Sequence, residues 1–218
     1  MSDEINETPE QTPDDVFLTA VLFESSLGLL ALLVGWMIGP DARAMVPDLV
    51  VENAKPIGMG ILYGCLAAIP LLIFIELVRR IPLEAIRRLD RLGDDGMIQL
   101  LLQLRPVELI LISVCAGVGE ELLFRGWLMY WLAGGTSGMA GSPSNLELGI
   151  ALVGSSIAFG MVHPITKLYI FLAALMGLYF GALLIYTGNL LVPIAAHAAY
   201  DAVQLLIASR KIKTELAR

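Results

Sequence analysis

Two long uncharged runs limit what this chain can fold into. Residues 56–75 and residues 168–196 contain no Asp, Glu, Lys, Arg or His. A helix needs about 20 apolar residues to cross the hydrocarbon core of a bilayer. The chain of 218 residues is 57% hydrophobic and only 16% charged, whereas soluble domains are about 45–50% apolar and about 25% charged. The sequence therefore predicts a protein that crosses a membrane several times and excludes a water-soluble domain.

The apolar segments predict an all-α, polytopic transmembrane helix bundle of about six spans. The predicted spans are residues 16–39, 57–78, 107–132, 146–163, 168–187 and 190–209. Residues 134–145 are rich in Gly, Ser and Pro and predict a loop. The predicted organisation is a disordered acidic tail at 1–15, two spans with a basic amphipathic cytoplasmic connection at 16–106, a core at 107–209 and a basic cytoplasmic tail at 210–218.

The distribution of charge predicts the orientation in the membrane. The first fifteen residues carry six acids and no Lys or Arg, which accounts for most of the net charge of −7. Eleven of the 14 basic residues fall on one side of the six-span arrangement: Arg79, Arg80, Arg87, Arg88, Arg91, Arg105, Lys167, Arg210, Lys211, Lys213 and Arg218. By the positive-inside rule, both termini are expected to be cytoplasmic. The sequence contains no basic patch that would indicate nucleic-acid binding.

Charged side chains inside membrane spans are energetically costly and usually functional. They form three clusters: Glu120, Glu121 and Arg125 in the third span, His163 at the end of the fourth, and His197 with Asp201 in the sixth. The chain has two histidines, and both lie in these clusters. Three further acids lie in or near spans, and we expect them to serve helix packing or the lipid interface: Glu24, Glu76 and Glu108.

Helical spacing suggests different roles for the two neighbouring glutamates. Glu121 precedes Arg125 by four residues, the favourable orientation for an ion pair along a helix, so we interpret this pair as scaffold. Glu120 points about 100° away on the same helix and has no local partner, which makes it a candidate general base. Phe159 and His163 share a helix face, and so do His197 and Asp201.

The three clusters together resemble a known family. The succession E-E-L-L-F-R, F-G-M-V-H and H-A-A-Y-D is similar to the pattern E-E-x-x-x-R, F-x-x-x-H and H-x-x-x-N/D of the CPBP family. This family comprises the CAAX prenyl endopeptidases and the bacterial Abi, or bacteriocin-processing, proteins. The resemblance covers about residues 107–208, and the first two spans do not contribute to it. It predicts that residues 107–209 are a CAAX-protease-like catalytic core.

The resemblance implies an intramembrane endopeptidase with a helical core whose cavity opens to the cytoplasm. It would hydrolyse a peptide bond of a membrane-embedded or lipidated protein or peptide, in the plasma (inner) membrane of a prokaryote. Glu120 would activate water that His163 holds, and His197 with Asp201 would stabilise the oxyanion. Support residues would be Glu121, Arg125 and Phe159.

One position departs from the prenyl-protease form of the pattern. Asp201 stands where that form has Asn. An ionised Asp would repel an oxyanion, so Asp201 is expected either to be protonated or to orient His197. The bacterial branch of the family admits Asp here.

Three alternatives stay open at this stage. No cofactor is favoured, but a zinc ion held by Glu120, His163 and His197 would also fit a protease, although the chain lacks an H-E-x-x-H motif. A catalytically silent binding or immunity scaffold is the second alternative. The third is a proton-coupled carrier that uses Glu120, His163, His197 and Asp201 as a relay, although the sequence shows no internal repeat.

The position of His163 also makes a structural prediction. Counted at 1.5 Å per residue, Glu120 and His197 lie near the middle of the membrane, whereas His163 lies near its inner surface. We therefore expect the fourth helix to continue past His163 with a kink at Pro164.

Overall fold

The computed structural model describes residues 12–48, 50–86, 96–135 and 143–216, and the chain forms no strand within them. Seven helices of eight or more residues lie within these ranges. Helix α4 spans residues 106–135 and has an α-helical part, Pro106–Glu121, and two π-helical parts, Leu122–Leu128 and Trp131–Gly135. The other helices are α1 (Pro13–Ile38), α2 (Ala54–Arg79), α3 (Gly96–Gln103), α5 (Asn145–Met161), α6 (Lys167–Thr187) and α7 (Leu191–Leu216).

The predicted fold class is confirmed as an all-helical membrane bundle. Four helical segments are long and apolar enough to cross a bilayer: Pro13–Ile38, Val51–Arg79, Lys167–Thr187 and Leu191–Thr214. Helix α5 is a shorter apolar helix, and α4 has the length of a span but contains the π-helical parts. The total of six spans and the side to which the cavity opens stay predictions.

Helix α1 begins inside the predicted acidic tail. Thr12 caps the helix by accepting from the backbone N–H of Asp15, and the Asp15 carboxylate accepts in return from the Thr12 N–H. Pro13 at the first helical position has the φ angle that a helix needs. Asp14 and Asp15 lie in the first turn, where the helix dipole favours acids. The prediction of disorder is therefore wrong for residues 13–15, and residues 1–11 lie outside the described ranges.

The outer faces of α1 and α2 are apolar and exposed. On α1, Leu22, Leu29 and Trp36 have exposed fractions of 60%, 67% and 83%. Exposed apolar side chains of this number would make a soluble protein aggregate, but they suit a lipid environment. The buried residues of α1 are Gly28 and Ala31, so this helix packs through its small residues.

The small residues allow very close approach between helix backbones. A Cβ atom at Gly119 in α4 would lie 2.1 Å from the carbonyl oxygen of Glu24 in α1. A Cβ at Gly64 in α2 would lie 2.4 Å from the carbonyl oxygen of Val192 in α7. Both crossings therefore need glycine, and the first of them fixes the position of Glu24 beside α4.

The expectation that the fourth helix continues past His163 is wrong. Helix α5 ends at Met161, and residues 162–166 form a turn before α6 begins. Thr166 caps α6 by accepting from the backbone N–H of Tyr169. Because Pro164 cannot donate a backbone hydrogen bond, the chain turns there instead of kinking within one helix. His163 is thus held on a short turn.

The C-terminal residues predicted as a basic tail continue helix α7 as far as Leu216. Ser209 donates a hydrogen bond to the carbonyl oxygen of Leu102 at 2.6 Å. Lys213 donates to the carbonyl oxygen of Leu104 at 2.9 Å. These side chains satisfy carbonyl groups at the end of α3, which would otherwise lack intrahelical donors. Of the predicted amphipathic connection, residues 87–95 lie outside the described ranges, as do residues 136–142 of the predicted loop.

Candidate active site

A cavity of about 420 Å³ lies between the helices. Its charged and imidazole side chains are Glu24, Arg79, Glu120, His163, His197 and Asp201. The remaining lining is aliphatic or aromatic, with Phe159 and Tyr169 beside the polar cluster. The cavity therefore combines a few convergent polar groups with apolar walls, which is typical of a ligand or substrate site.

Glu120 lies at the centre of this polar cluster. Its side chain is 7% exposed. The Oε1 atom lies 3.7 Å from Nε2 of His163, and the Oε2 atom lies 4.0 Å from Nε2 of His197. The structure thus brings together residues from α4, from the turn after α5 and from α7. These are three of the four residues that the sequence predicts to be catalytic.

The ring of His163 is oriented by the helix that precedes it. Its Nδ1 atom lies 2.7 Å from the carbonyl oxygen of Phe159. A carbonyl oxygen can only accept, so Nδ1 carries the proton and donates. In the neutral ring Nε2 is then an acceptor, and it faces Glu120. The Phe159 ring packs against the imidazole at 4.9 Å between centroids, so Phe159 supports His163 with both its backbone and its side chain.

His197 is held on both sides by acids. Its Nδ1 atom lies 3.0 Å from Oε1 of Glu121, and its Nε2 atom lies 3.4 Å from Oδ2 of Asp201. The Phe180 ring stacks on the imidazole at a centroid distance of 4.9 Å and an interplanar angle of 16°. The ring therefore has little freedom to rotate, and Asp201 lies where it can orient His197.

The pair of Glu121 and Arg125 is completely buried. Both side chains have no exposed surface, and Nη1 of Arg125 lies 3.2 Å from Oε1 of Glu121. The guanidinium group also lies 4.2 Å from the centre of the Phe159 ring, which adds a cation–π attraction. A Cβ at Gly177 would lie 3.0 Å from Nη2 of Arg125, so this glycine leaves room for the arginine.

The ion pair expected from helical spacing is therefore present, and Glu121 has a second contact that the spacing does not indicate. Glu121 Oε1 also interacts with His197, 76 positions further along the chain. Such a contact between helices leaves no local signal in the sequence. The same is true of Phe180, whose stacking on His197 only the fold reveals.

The three acids expected to serve packing or interfaces behave differently from one another. Glu76 forms an exposed ion pair with Arg80 at 3.1 Å. Glu108 receives hydrogen bonds from the backbone and side chain of Arg105 at the start of α4. Glu24, in contrast, lines the cavity together with Glu120. The sequence signal for Glu24 was only its presence in an apolar segment, which did not distinguish it from the other two.

The zinc alternative requires three side chains that converge on one metal ion. Within the described residues, no group of three or more His, Cys, Asp or Glu side chains is arranged so that it could hold a metal ion. His197 is already engaged at both nitrogens by acids. The donor set does not form a zinc site as it stands, and we derive no step of the reaction through a metal.

Comparison with known proteins gives one match. Residues 102–203 match the family described as "Type II CAAX prenyl endopeptidase Rce1-like". This range includes all the charged and imidazole side chains of the cavity except those of Glu24 and Arg79, which come from α1 and α2. No curated protein and no solved structure matches the chain.

Proposed function

We propose that the chain is a glutamate-dependent intramembrane endopeptidase, and the premise is the match of residues 102–203 to the Rce1-like family of type II CAAX prenyl endopeptidases. The family is one of proteases, and the helical bundle is that of an integral membrane protein. The proposal adds the residues that perform the hydrolysis and the way in which they do so.

One observation carries the proposal. Glu120, His163 and His197 come from three separate segments and converge on one cavity, although 77 positions separate the first from the last. A buried carboxylate that faces a histidine at 3.7 Å is too far away for a direct hydrogen bond. A separation of this size between polar groups suits a bridging water molecule.

The first step is the activation of that water. The proton on Nδ1 of His163 leaves Nε2 as an acceptor, so a water between His163 and Glu120 can donate one hydrogen to each. Its oxygen lone pair is then free to attack a peptide carbonyl carbon. Glu120 takes one proton as the C–O bond forms, and it returns this proton to the nitrogen when the C–N bond breaks. General base catalysis of this kind contributes about 10²–10⁴-fold to a rate.

His197 stabilises the negative charge that develops on the carbonyl oxygen by the positive charge of its ring, because Glu121 and Asp201 accept at its two nitrogens and favour the doubly protonated form. A charge held in place before the reaction is more effective than one that must reorganise, and this ring is held by Glu121, Asp201 and Phe180. Asp201 acts through His197, since its carboxylate lies 3.4 Å from Nε2 of that ring. This favours orientation of His197 over direct contact of Asp201 with the oxyanion.

The walls of the cavity suggest the class of substrate. Aliphatic and aromatic side chains, among them Leu172, Met176 and Tyr169, surround the polar cluster. A peptide that reaches it must leave water, so we propose a membrane-embedded or lipidated peptide or protein as the substrate. The excess of basic residues on one side of the six-span arrangement supports cytoplasmic termini, and we propose the plasma (inner) membrane of a prokaryote as the location.

The decisive experiment compares membrane-protein termini by mass spectrometry in cells that express equal amounts of wild type or Glu120→Gln. We expect new termini only with the wild type, because the amide of Gln cannot accept a proton from water. Glu76→Gln is the matched control, since it removes an exposed glutamate outside the cavity, and it should leave the termini unchanged.

Three other outcomes would contradict the proposal. Identical termini for wild type and a correctly inserted Glu120→Gln would favour a binding scaffold. Cleavage that a chelator abolishes and zinc restores would favour a metal mechanism. Proton flux across sealed vesicles that depends on Glu120 would favour a carrier.

A further inference from the structure

Glu24 is a cavity residue that lies outside the part of the chain matching the family. It comes from α1, whereas the family match begins at residue 102. Its side chain lines the same cavity as Glu120, His163, His197 and Asp201. Its Oε2 atom is buried without a hydrogen-bond partner among the described residues, and so is Oε2 of Glu120. Two carboxyl groups with unsatisfied oxygen atoms thus line the cavity where water activation is proposed.

The packing of α1 on α4 fixes this arrangement. The carbonyl oxygen of Glu24 would lie 2.1 Å from a Cβ at Gly119, and a Cβ at Gly28 would lie 3.4 Å from the Cα of Gly119. Gly119 directly precedes Glu120. The two backbones therefore cross at the two glutamates, and this crossing holds the backbone of Glu24 next to that of Glu120.

The two carboxyl groups need a proton between them. The Oε2 atoms of Glu24 and Glu120 are both buried, and no N–H or O–H group of the described residues donates to either. Two ionised carboxylates side by side in a medium of low dielectric constant would repel each other strongly. Carboxyl groups in contact resolve this by sharing one proton.

We propose that Glu24 is a positioning residue for Glu120: its protonated carboxyl group donates a hydrogen bond to the Glu120 carboxylate and orients it towards the water. This inference deepens the proposed function and rests on it for the role of Glu120. Glu24 keeps its proton throughout the reaction. The proton that leaves the water passes to Glu120 and then to the nitrogen of the scissile bond, so the pair begins and ends with the same single proton.

Each helix packed around Glu24 and Glu120 places a defined set of side chains near them. Helix α4 contributes Glu121, which is paired with Arg125. Helix α7 contributes His197, Tyr200 and Asp201, and α2 contributes Arg79 at the cavity wall. His163 and Tyr169 complete the set from the turn after α5 and from α6. The described part of α3 contributes only apolar and amide side chains to this region.

The first test is independent of any substrate. We would record infrared difference spectra between the wild type and Glu24→Gln, both purified and reconstituted in lipid at neutral pH. The proposal predicts the loss of one C=O stretching band of a protonated carboxyl group. Glu76→Gln is the control, because that exposed glutamate pairs with Arg80 and should lose carboxylate bands instead. Loss of carboxylate bands with Glu24→Gln would overturn the proposal.

The second test separates orientation from packing. Gln at position 24 still donates a hydrogen bond, whereas Leu has a similar size and fills the space without a donor. We expect Glu24→Gln to retain cleavage within about threefold, and Glu24→Leu to lose about tenfold or more, as expected when a hydrogen bond to a charged group is removed. Equal cleavage by the two variants would show a packing role and overturn the proposal.

The two tests distinguish the failure of this proposal from the failure of the proposed function. If wild-type cells show no new termini, the proteolytic function fails, but the infrared spectra still decide whether Glu24 carries the proton. If new termini are present and depend on Glu120, while Leu and Gln at position 24 behave alike, only the role of Glu24 fails. Circular dichroism and correct membrane insertion of each variant establish that it is folded.

Discussion

The two N-terminal helices and the part of the chain beyond residue 105 bury different kinds of side chain. In α1 and α2 the buried residues are mostly small: Gly28, Ala31, Gly60, Gly64, Ala68 and Leu71. The buried polar and charged residues of the described chain all come later in the sequence: Glu108, Ser113, Glu120, Glu121, Arg125, Ser155, Ser156, His197 and Ser209. The first region thus packs through close backbone contact, and the second encloses a network of polar groups.

The two regions thus adapt to the membrane differently: α1 and α2 pack closely through small residues, whereas the core contains charged side chains. In α1 and α2 the polar backbone is satisfied within each helix, so the outer faces can contact lipid, and small residues let the helices approach one another. In the core, a buried charge is tolerated where an opposite charge lies close to it, as Arg125 lies 3.2 Å from Glu121. Substitutions should therefore act by steric conflict in the first region and by loss of a partner in the second.

The largest effect is expected for the buried ion pair. Arg125→Met should lower the free energy of unfolding by about 3–5 kcal/mol, because it leaves the Glu121 charge buried with less compensation. Denaturation in detergent micelles would measure this change. The control is Arg80→Met, since Arg80 and Glu76 are 71% and 57% exposed, and an exposed pair contributes at most about 1 kcal/mol. If the two substitutions lowered the free energy of unfolding equally, the distinction between the buried and the exposed ion pair would be contradicted.

The next effect tests the backbone crossing between the two regions. Gly119→Ala should lower the free energy of unfolding by about 1–3 kcal/mol, because the new methyl group overlaps the Glu24 carbonyl oxygen. It should also lower cleavage, since α1 carries Glu24 away from Glu120. Gly149→Ala is the control, because a Cβ there meets no atom within 4 Å. Thermal unfolding would measure the effect on stability, and the termini assay would measure the effect on cleavage. If Gly119→Ala left both unchanged, the close approach of α1 and α4 at Gly119 would be contradicted.

A smaller effect is expected when the Phe180 ring, which stacks on His197, is replaced. Phe180→Leu removes the stacking contact, and an aromatic pair contributes about 0.5–1.5 kcal/mol, so cleavage should fall by up to about tenfold. Phe171→Leu lies on the same helix with its side chain 58% exposed, and it should leave cleavage unchanged. The amount of cleaved product measured over time would give the cleavage rates of the two variants. Similar rates would show that the function of His197 does not depend on stacking by Phe180.

The smallest effect is expected where α7 meets α3. Ser209→Ala should lower the free energy of unfolding by about 0.5–1.5 kcal/mol, because the Leu102 carbonyl oxygen loses its 2.6 Å donor. The control is Thr214→Ala on the same helix, whose hydroxyl group bonds only to Arg210 in the preceding turn. Chemical denaturation would resolve the difference, and a greater loss with Thr214→Ala would contradict the assigned contact.

How far the sequence predicts this molecule depends on how far apart the interacting residues lie in the chain. The ion pair of Glu121 and Arg125 follows from the geometry of one helix, and the all-helical membrane fold follows from the uncharged runs. The contact of Glu121 with His197 and the position of Glu24 in the same cavity as Glu120 need the arrangement of separate helices, which no periodicity encodes. The end of α5 was also missed, because apolar composition continues through the turn that contains His163.

The start of α1 teaches a related point at shorter range. The acids of residues 1–15 were interpreted together as a disordered tail because of their composition. Composition does not distinguish an acid in a solvated tail from one in the first turn of a helix, and the Thr12 and Asp15 capping contacts decide the matter here. Position relative to the cap is the more informative signal.

The π-helical part of α4 determines where this chain can change its length. A π-helical turn contains about one residue more than an α-helical turn. Deletion of one residue after Arg125 and within Leu122–Leu128 could be absorbed by conversion to regular α-helix, and buried Met129 would keep its direction. The same deletion within the preceding α-helical part would rotate later side chains by about 100° relative to the start of the helix. A one-residue deletion in α4 should therefore be tolerated between Arg125 and Met129 and rejected within Pro106–Glu121.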